Sequence, residues 1–190
     1  PPAYYKYGDA EAISFYSKII ENIPKCKIIL YNFEKLSGYK FSIDCINELV
    51  KKFPNQIVGV KDSSYNLFEK LKLDNFSIFP GSETKLLTGL QLGCSGIITA
   101  TCNVTAKMSR KVYDDFYLGN EQSFNQKLCD VRAAFDKYNL ISGLHSYYSQ
   151  EDEIYKNILP PLNLLNKTDE KDLLQTLKDL NFSNKSNMAA

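Results

Sequence analysis

Apolar and polar positions along this chain recur with two different periods. Over residues 9–22 the apolar Ala12, Ile13, Phe15, Tyr16, Ile19 and Ile20 fall on roughly one face. That spacing predicts an amphipathic helix, which Pro24 ends. Residues 26–32, a short apolar run closing on Tyr31-Asn32, predict a strand. A loop with Gly38 follows. Ser42 is placed to cap a helix to about residue 53, with Ile43, Ile46, Leu49 and Val50 inward. Ile57-Val58-Gly59-Val60 is uncharged and rich in β-branched residues, and predicts a buried strand. The pattern then predicts a short helix at 66–73, a strand at 77–79, a helix at 84–92 closed by Gly93, and a fourth strand at 97–101. Beyond Val104 only helical periodicity remains, at 105–117 and 121–138, followed by less regular segments. Residues 158–162, with Pro160-Pro161, break the helical run. A last amphipathic helix is expected at 169–180, and a polar, frayed end at 181–190.

Strands alternating with helices of about ten residues mean βαβ units and a parallel sheet. The fold class is α/β, and four such units suit half of a (βα)8 barrel or a flavodoxin-like sheet. The expected organisation is a barrel half at 1–104, a helical extension at 105–180 and a polar tail at 181–190. The chain opens Pro1-Pro2-Ala3-Tyr4-Tyr5. That segment reads as a strand exit, so the chain is expected to be the C-terminal part of a longer protein.

At 190 residues the chain is long enough for a sizeable core. Its net charge of +1, with both signs interspersed, gives no pull toward nucleic acid or an anionic membrane. No apolar stretch approaches the roughly 18–20 residues of a membrane span, and no signal peptide is visible. The five cysteines, Cys26, Cys45, Cys94, Cys102 and Cys129, are odd in number and widely spread. They predict reduced thiols in a cytoplasmic protein rather than a disulfide framework or a zinc finger. His145 is the only histidine. No metal site is expected, nor a Ser–His or Cys–His enzyme.

Chemistry in parallel α/β folds sits at the C-terminal ends of the strands. Read in order, those ends are Tyr31-Asn32, Lys61-Asp62-Ser63, Gly81-Ser82-Glu83 and Thr99-Ala100-Thr101. Lys61 closes an apolar strand. Burial favours a neutral amine over an ammonium, and a neutral amine forms a Schiff base with a carbonyl substrate. The bland alternative is a lysine that snorkels to water. A phenol such as Tyr31 can shuttle the protons of imine chemistry without adding a fixed charge, or can be a half-buried strand tyrosine. Asp62, Glu83 and Glu34, the acids nearest the strand ends, read as solvated loop charges. Gly81-Ser82 before a helix could also mark a phosphate-binding barrel enzyme, though no Gly-rich run accompanies it.

The stretches Tyr31-Asn32-Phe33-Glu34-Lys35-Leu36-Ser37-Gly38 and Gly59-Val60-Lys61-Asp62-Ser63 resemble the dihydrodipicolinate synthase / N-acetylneuraminate lyase family. So do Phe79-Pro80-Gly81-Ser82-Glu83 and Gly93-Cys94-Ser95-Gly96-Ile97-Ile98-Thr99-Ala100-Thr101-Cys102-Asn103-Val104. The resemblance runs in order from Pro1 to about Leu162. The separation of Tyr31 and Lys61 is slightly longer than usual; the extra length is assigned to the 51–56 loop, where insertions are tolerated.

The resemblance implies a (βα)8 TIM barrel, of which this chain holds strands five to eight and the C-terminal helices. It implies Lys61 as the Schiff-base residue for pyruvate or another 2-keto acid, with no cofactor, and Tyr31 as the proton shuttle. Tyr5 would reach a neighbouring subunit's active site, which implies a homo-oligomer, usually a tetramer. Ser63, Gly81, Glu83, Thr84 and the Ile98 carbonyl would line the substrate pocket. Three positions depart from the family pattern: Glu34 replaces a proline, Leu36 an arginine, and Gly81-Ser82-Glu83-Thr84 stands for Gly-x-Asp-Glu. The carboxylate-binding Gly-Thr-Thr-Gly or Gly-Ser-Thr-Gly motif would lie before Pro1, so these 190 residues alone are expected to be inactive. The expected activity is cleavage or formation of a carbon–carbon bond to pyruvate in a sialic-acid-like substrate or a 2-keto-3-deoxy sugar acid. Dihydrodipicolinate synthesis and a non-catalytic relative that binds a small acid remain as alternatives.

Overall fold

A computed structural model describes residues 1–183. The chain divides into two compact units: Pro1–Gly81 with Thr88–Ile98, and Ser82–Leu87 with the chain from Thr99 onward.

The first unit holds a parallel sheet of β1 (Ile28–Asn32), β2 (Ile57–Asp62) and β3 (Ser77–Pro80), in that order. Helix α1 (Asp9–Asn22) precedes β1, and α2 (Glu34–Ser37) and α3 (Ile43–Lys52) lie between β1 and β2 in sequence. The Ser42 hydroxyl accepts from Cys45 N, so α3 starts where the sequence predicts. Strand residues alternate between faces. Leu30, Val60 and Ile78 are buried in one cluster with Ala12 and Tyr16 of α1 and Ile46 and Leu49 of α3. The other face carries Ile29 and Tyr31, both exposed, and the half-buried Lys61 and Phe79. Gly59 lets β2 and β3 approach, because a Cβ there would stand 2.6 Å from the Ser77 carbonyl oxygen.

Two predicted elements of this unit are absent among the described residues. Residues 66–73 form a single turn, with Lys70 N and Leu71 N donating to Leu67 O, instead of a helix. The Asp62 carboxylate accepts from the N–H groups of Leu67 and Phe68 at the start of this turn. The expected strand at 97–101 is not one either. Ser95 N and Ile98 N each donate to β3, to Ile78 O and Pro80 O, but the chain then turns into a helix before a ladder forms. The described sheet therefore has three strands, and a complete half barrel is not formed. The predicted 84–92 helix is a 3-10 turn, Glu83–Lys85, running into α4 (Leu86–Gln91).

The second unit is helical, with α5 (Cys102–Leu118), α6 (Asn125–Asp136), α7 (Leu140–Tyr148) and α8 (Lys167–Asp179). Val112, Leu128, Val131, Phe135 and Leu173 form its buried interior. α6 starts later than the predicted 121, and α7, capped by the Asn139 side chain, occupies a stretch expected to be irregular. The expected polar tail from 181 begins with a buried aromatic. Phe182 packs 6.0 Å from Tyr147, and its N–H donates to Leu177 O. Residues 184–190 of that tail lie outside the described residues.

Candidate active site

In the parallel register Tyr31 is the partner of Lys61, and Lys61 of Phe79. Partners in a ladder share a face, and here that face is the open one. Lys61 Nζ stands 4.0 Å from the centroid of the Tyr31 ring. An amine over a phenol face gains a cation–π contact when protonated, and the same contact keeps the phenol within reach of whatever bonds to the nitrogen.

One step along the ladder the side chains point the other way. Asn32 and Asp62 are register partners, and neither has any exposed surface. Asn32 Nδ2 donates to Asp62 Oδ1 at 2.8 Å and to Asn66 Oδ1 at 2.8 Å, while its Oδ1 accepts from Phe41 N at 3.0 Å. Asp62 also accepts from Tyr65 N, Leu67 N and Phe68 N at 2.9–3.0 Å. Asp62 is thus a buried structural acceptor, not the solvated charge that its place at a strand end suggests.

Ser63 and Gly81 follow on adjacent strand ends, and Gly81 N donates to Asp62 O at 3.0 Å. A Cβ at Gly81 would stand 2.2 Å from Ser63 Oγ, so the two candidates touch. Ile98 is exposed in the same unit. Tyr5 is 77% exposed, with its ring edge-on to Tyr4 at 5.0 Å. Tyr4 holds a left-handed φ of 84°. Glu34, the first residue of α2, is exposed and pairs with Lys40 at 3.1 Å.

Glu83 and Thr84 belong to the second unit. Thr84 is exposed and shares a hydroxyl contact with Ser82. Glu83 is fully buried. Its carboxylate accepts from Arg132 Nη1 at 3.0 Å, Thr99 Oγ1 at 3.1 Å and Thr105 Oγ1 at 2.9 Å. Arg132 Nη1 also meets Thr99 and Thr101, and its Nε meets Asp136. The acid expected to contact substrate is therefore engaged by a buried ion pair, and its reading as a solvated charge is corrected. Nothing in the sequence pairs Arg132 with Glu83, 49 residues away. Burial, then the negative charge of Glu83, pushes the nearby Cys102 thiol above its ordinary value. All five cysteines are free thiols. His145 bonds the Tyr155 carbonyl through Nδ1 at 2.8 Å. Among the described residues no three His, Cys, Asp or Glu side chains gather as a metal would require, and no helix is long and apolar enough to cross a membrane.

A parallel α/β sheet with an amine and a phenol on adjacent strand ends defines a class of fold and site. The profile of the dihydrodipicolinate synthetase family matches residues 1–180, and the chain belongs to this family. It is 28% identical over 169 residues to a 2-dehydro-3-deoxy-D-gluconate/2-dehydro-3-deoxy-phosphogluconate aldolase of Picrophilus torridus, covering 85% of this chain and 62% of that protein. It is 32% identical over 117 residues to an N-acetylneuraminate lyase of Actinobacillus pleuropneumoniae, covering 60% of this chain and 39% of that protein. Its structure resembles dihydrodipicolinate synthase from Aquifex aeolicus, a TIM-barrel protein, with a TM-score of 0.86 at 20% identity, over 97% of this chain and 65% of that one. The chain thus spans 39–62% of the length of these two curated relatives.

Proposed function

We propose that the protein is a pyruvate-dependent class I lyase, with Lys61 as the Schiff-base residue and Tyr31 as the proton shuttle. The observation that carries this reading is the Lys61 Nζ at 4.0 Å from the Tyr31 ring, at the C-terminal ends of adjacent parallel strands. In the cleavage direction the Lys61 amine adds to the keto carbon of the substrate, and loss of water gives a protonated imine. Tyr31 delivers the proton that lets the hydroxyl depart. The Tyr31 phenolate then takes the proton of the hydroxyl two carbons from the imine carbon. The bond between that hydroxyl-bearing carbon and its neighbour breaks, the electron pair moves into an enamine, and an aldehyde leaves. Protonation of the enamine carbon and hydrolysis release pyruvate and restore the amine. The imine is the electron sink, so the chemistry calls for neither a metal nor a cofactor.

The substrate we favour is a 2-keto-3-deoxy sugar acid or a sialic-acid-like compound. The names of the Picrophilus and Actinobacillus relatives support it. Dihydrodipicolinate synthesis is disfavoured by Leu36, which is 70% exposed where an arginine fork would hold a second carboxylate. A mere small-acid binder is disfavoured by the Tyr31–Lys61 contact, since binding an acid needs neither residue in that relation.

In this reading β1, β2 and β3 are strands five to seven of a TIM barrel, and residues 97–101 hold the place of the eighth. Ser63, Gly81 and the Ile98 carbonyl are the proposed substrate contacts of the first unit, and in the second unit Glu83 anchors the loop that carries Thr84. The exposed Tyr5, second of the Tyr4-Tyr5 pair, is taken as the residue that reaches a neighbouring subunit's active site, in a homotetramer of the cytoplasm. Backbone strain held at an exposed tyrosine favours a functional role for this segment. The test is pyruvate release from N-acetylneuraminate and from 2-keto-3-deoxygluconate, using the protein as its complete gene encodes it. Turnover of either that vanishes in Lys61→Ala is the expected result. Turnover of neither, alongside dihydrodipicolinate formation, would replace this reading with the synthase.

A further inference from the structure

We infer that Asn32 and Asp62 are positioning residues whose side-chain bond sets the spacing of Tyr31 and Lys61; this rests on the Schiff-base reading above. The pair sits one ladder step beyond Tyr31 and Lys61 and points to the opposite face. It therefore touches neither the pocket face nor a reacting atom. Its effect passes through the backbone of two adjacent strands.

The bonding is unusually complete. Asn32 uses both amide hydrogens and its oxygen, on Asp62, Asn66 and Phe41 N. Asp62 takes four donors, the Asn32 amide and three backbone N–H groups. Asn66 closes the circuit by donating to Phe41 O at 3.0 Å. Four chain segments are held together: the ends of β1 and β2, the residues before α3, and the 63–68 turn. The donors to Asp62 are all uncharged, so a carboxylate is being kept in an apolar layer beside Leu30 and Val60 without a counter-cation among these bonds. Such a group is costly to bury, and an aliphatic residue would serve sheet–helix packing better. Its placement directly beside the reacting pair is what a geometric role explains. A displacement of about 1 Å in a reacting pair can cost about 10²-fold in rate.

The test uses exchange of the pyruvate methyl hydrogens for deuterium, followed by NMR. It needs imine formation and the proton shuttle but no aldehyde. Asn32→Ala and Asp62→Asn that remain folded by circular dichroism are expected to lose about 10²-fold in the exchange kcat. Their KM for pyruvate is expected to stay within about twofold, because no ground-state contact is removed. The double variant should lose no more than the worse single one, as for residues acting as one unit. Wild-type kcat in the folded variants, or a loss carried by KM alone, would overturn the inference. If both variants fail to fold, Asn66→Ala, which removes one bond to Asn32, decides the matter. A partial loss of kcat in it supports the pair, and an unchanged kcat refutes it. Absence of exchange in the wild-type protein would instead sink the Schiff-base reading.

Discussion

Gly81 and Ser63 touch at the strand ends, and the contact leaves no space for a methyl group. A Cβ at Gly81 would sit 2.2 Å from Ser63 Oγ and 3.1 Å from Ser63 Cα, so backbone as well as a hydroxyl must move. Gly81→Ala is expected to cost about 1–3 kcal/mol, as overpacking does, and a thermal melt reads that loss. An unchanged melting temperature would mean that the 63–68 turn gives way freely. At Tyr31 the expectation is the reverse, since its ring is on the open face. Tyr31→Phe should lower turnover by about 10²–10⁴-fold, the usual contribution of a general acid–base group, while the melt stays put. Tyr31 and Lys61 were legible because each is a chemically distinctive residue at the end of an apolar run. The burial of Asp62 and Glu83 was not. Their side-chain partners, Asn32 for Asp62 and Arg132 for Glu83, are 30 and 49 residues away, and an acid in a polar tripeptide looks the same whether its donors are water or backbone.

Helices with strong amphipathic contrast were read with their ends nearly in place. α1 and α3 begin at a capping residue and carry their apolar positions on one stripe. Ser42 accepts from Cys45 N and also donates to the Asp9 carboxylate, so its hydroxyl has two structural partners. Ser42→Ala should destabilise the first unit by about 0.5–2 kcal/mol, measured by urea unfolding, the range for lost N-caps. No change would mean that water replaces the cap. α7 escaped the sequence reading because Leu140–Tyr148 is short and its few polar positions, Ser142, His145 and Ser146, are not confined to the solvent side: both serines are buried. The 66–73 segment misled for the opposite reason. Its apolar residues are spaced for a helix, but only one turn closes, on Leu67 O, before the chain runs on toward β3.

Within the interior of the first unit, two tyrosines make stability depend on alkaline pH. Burial raises the Tyr39 phenol above its ordinary value of 10.0, and its hydrogen bonds to Cys45 and Asp9 raise it further. Burial likewise raises Tyr16. Both are acids whose neutral form is favoured in the fold. Their contribution is therefore fully present below the unfolded value near 10 and is lost as pH climbs toward the folded one. The melting temperature should fall steeply above about pH 10, and Tyr39→Phe should flatten that fall while losing some stability at neutral pH. An equal slope in the variant would assign the effect elsewhere. The parallel α/β class, the order of the strands and the family were legible at the scale of the molecule, because they depend on repeated periodicity and on several linked motifs. The missing fourth strand was not, since whether residues 97–101 ladder is decided by neighbours that local pattern does not contain.

The central claim is that Lys61 forms a covalent imine with a 2-keto acid. Borohydride reduction in the presence of pyruvate, followed by digestion and mass spectrometry, tests it directly on the protein as its complete gene encodes it. A reduced pyruvyl adduct on Lys61, absent in Lys61→Ala, is the predicted result. Folded protein that yields no adduct with pyruvate in excess, or an adduct on another lysine, would contradict the account.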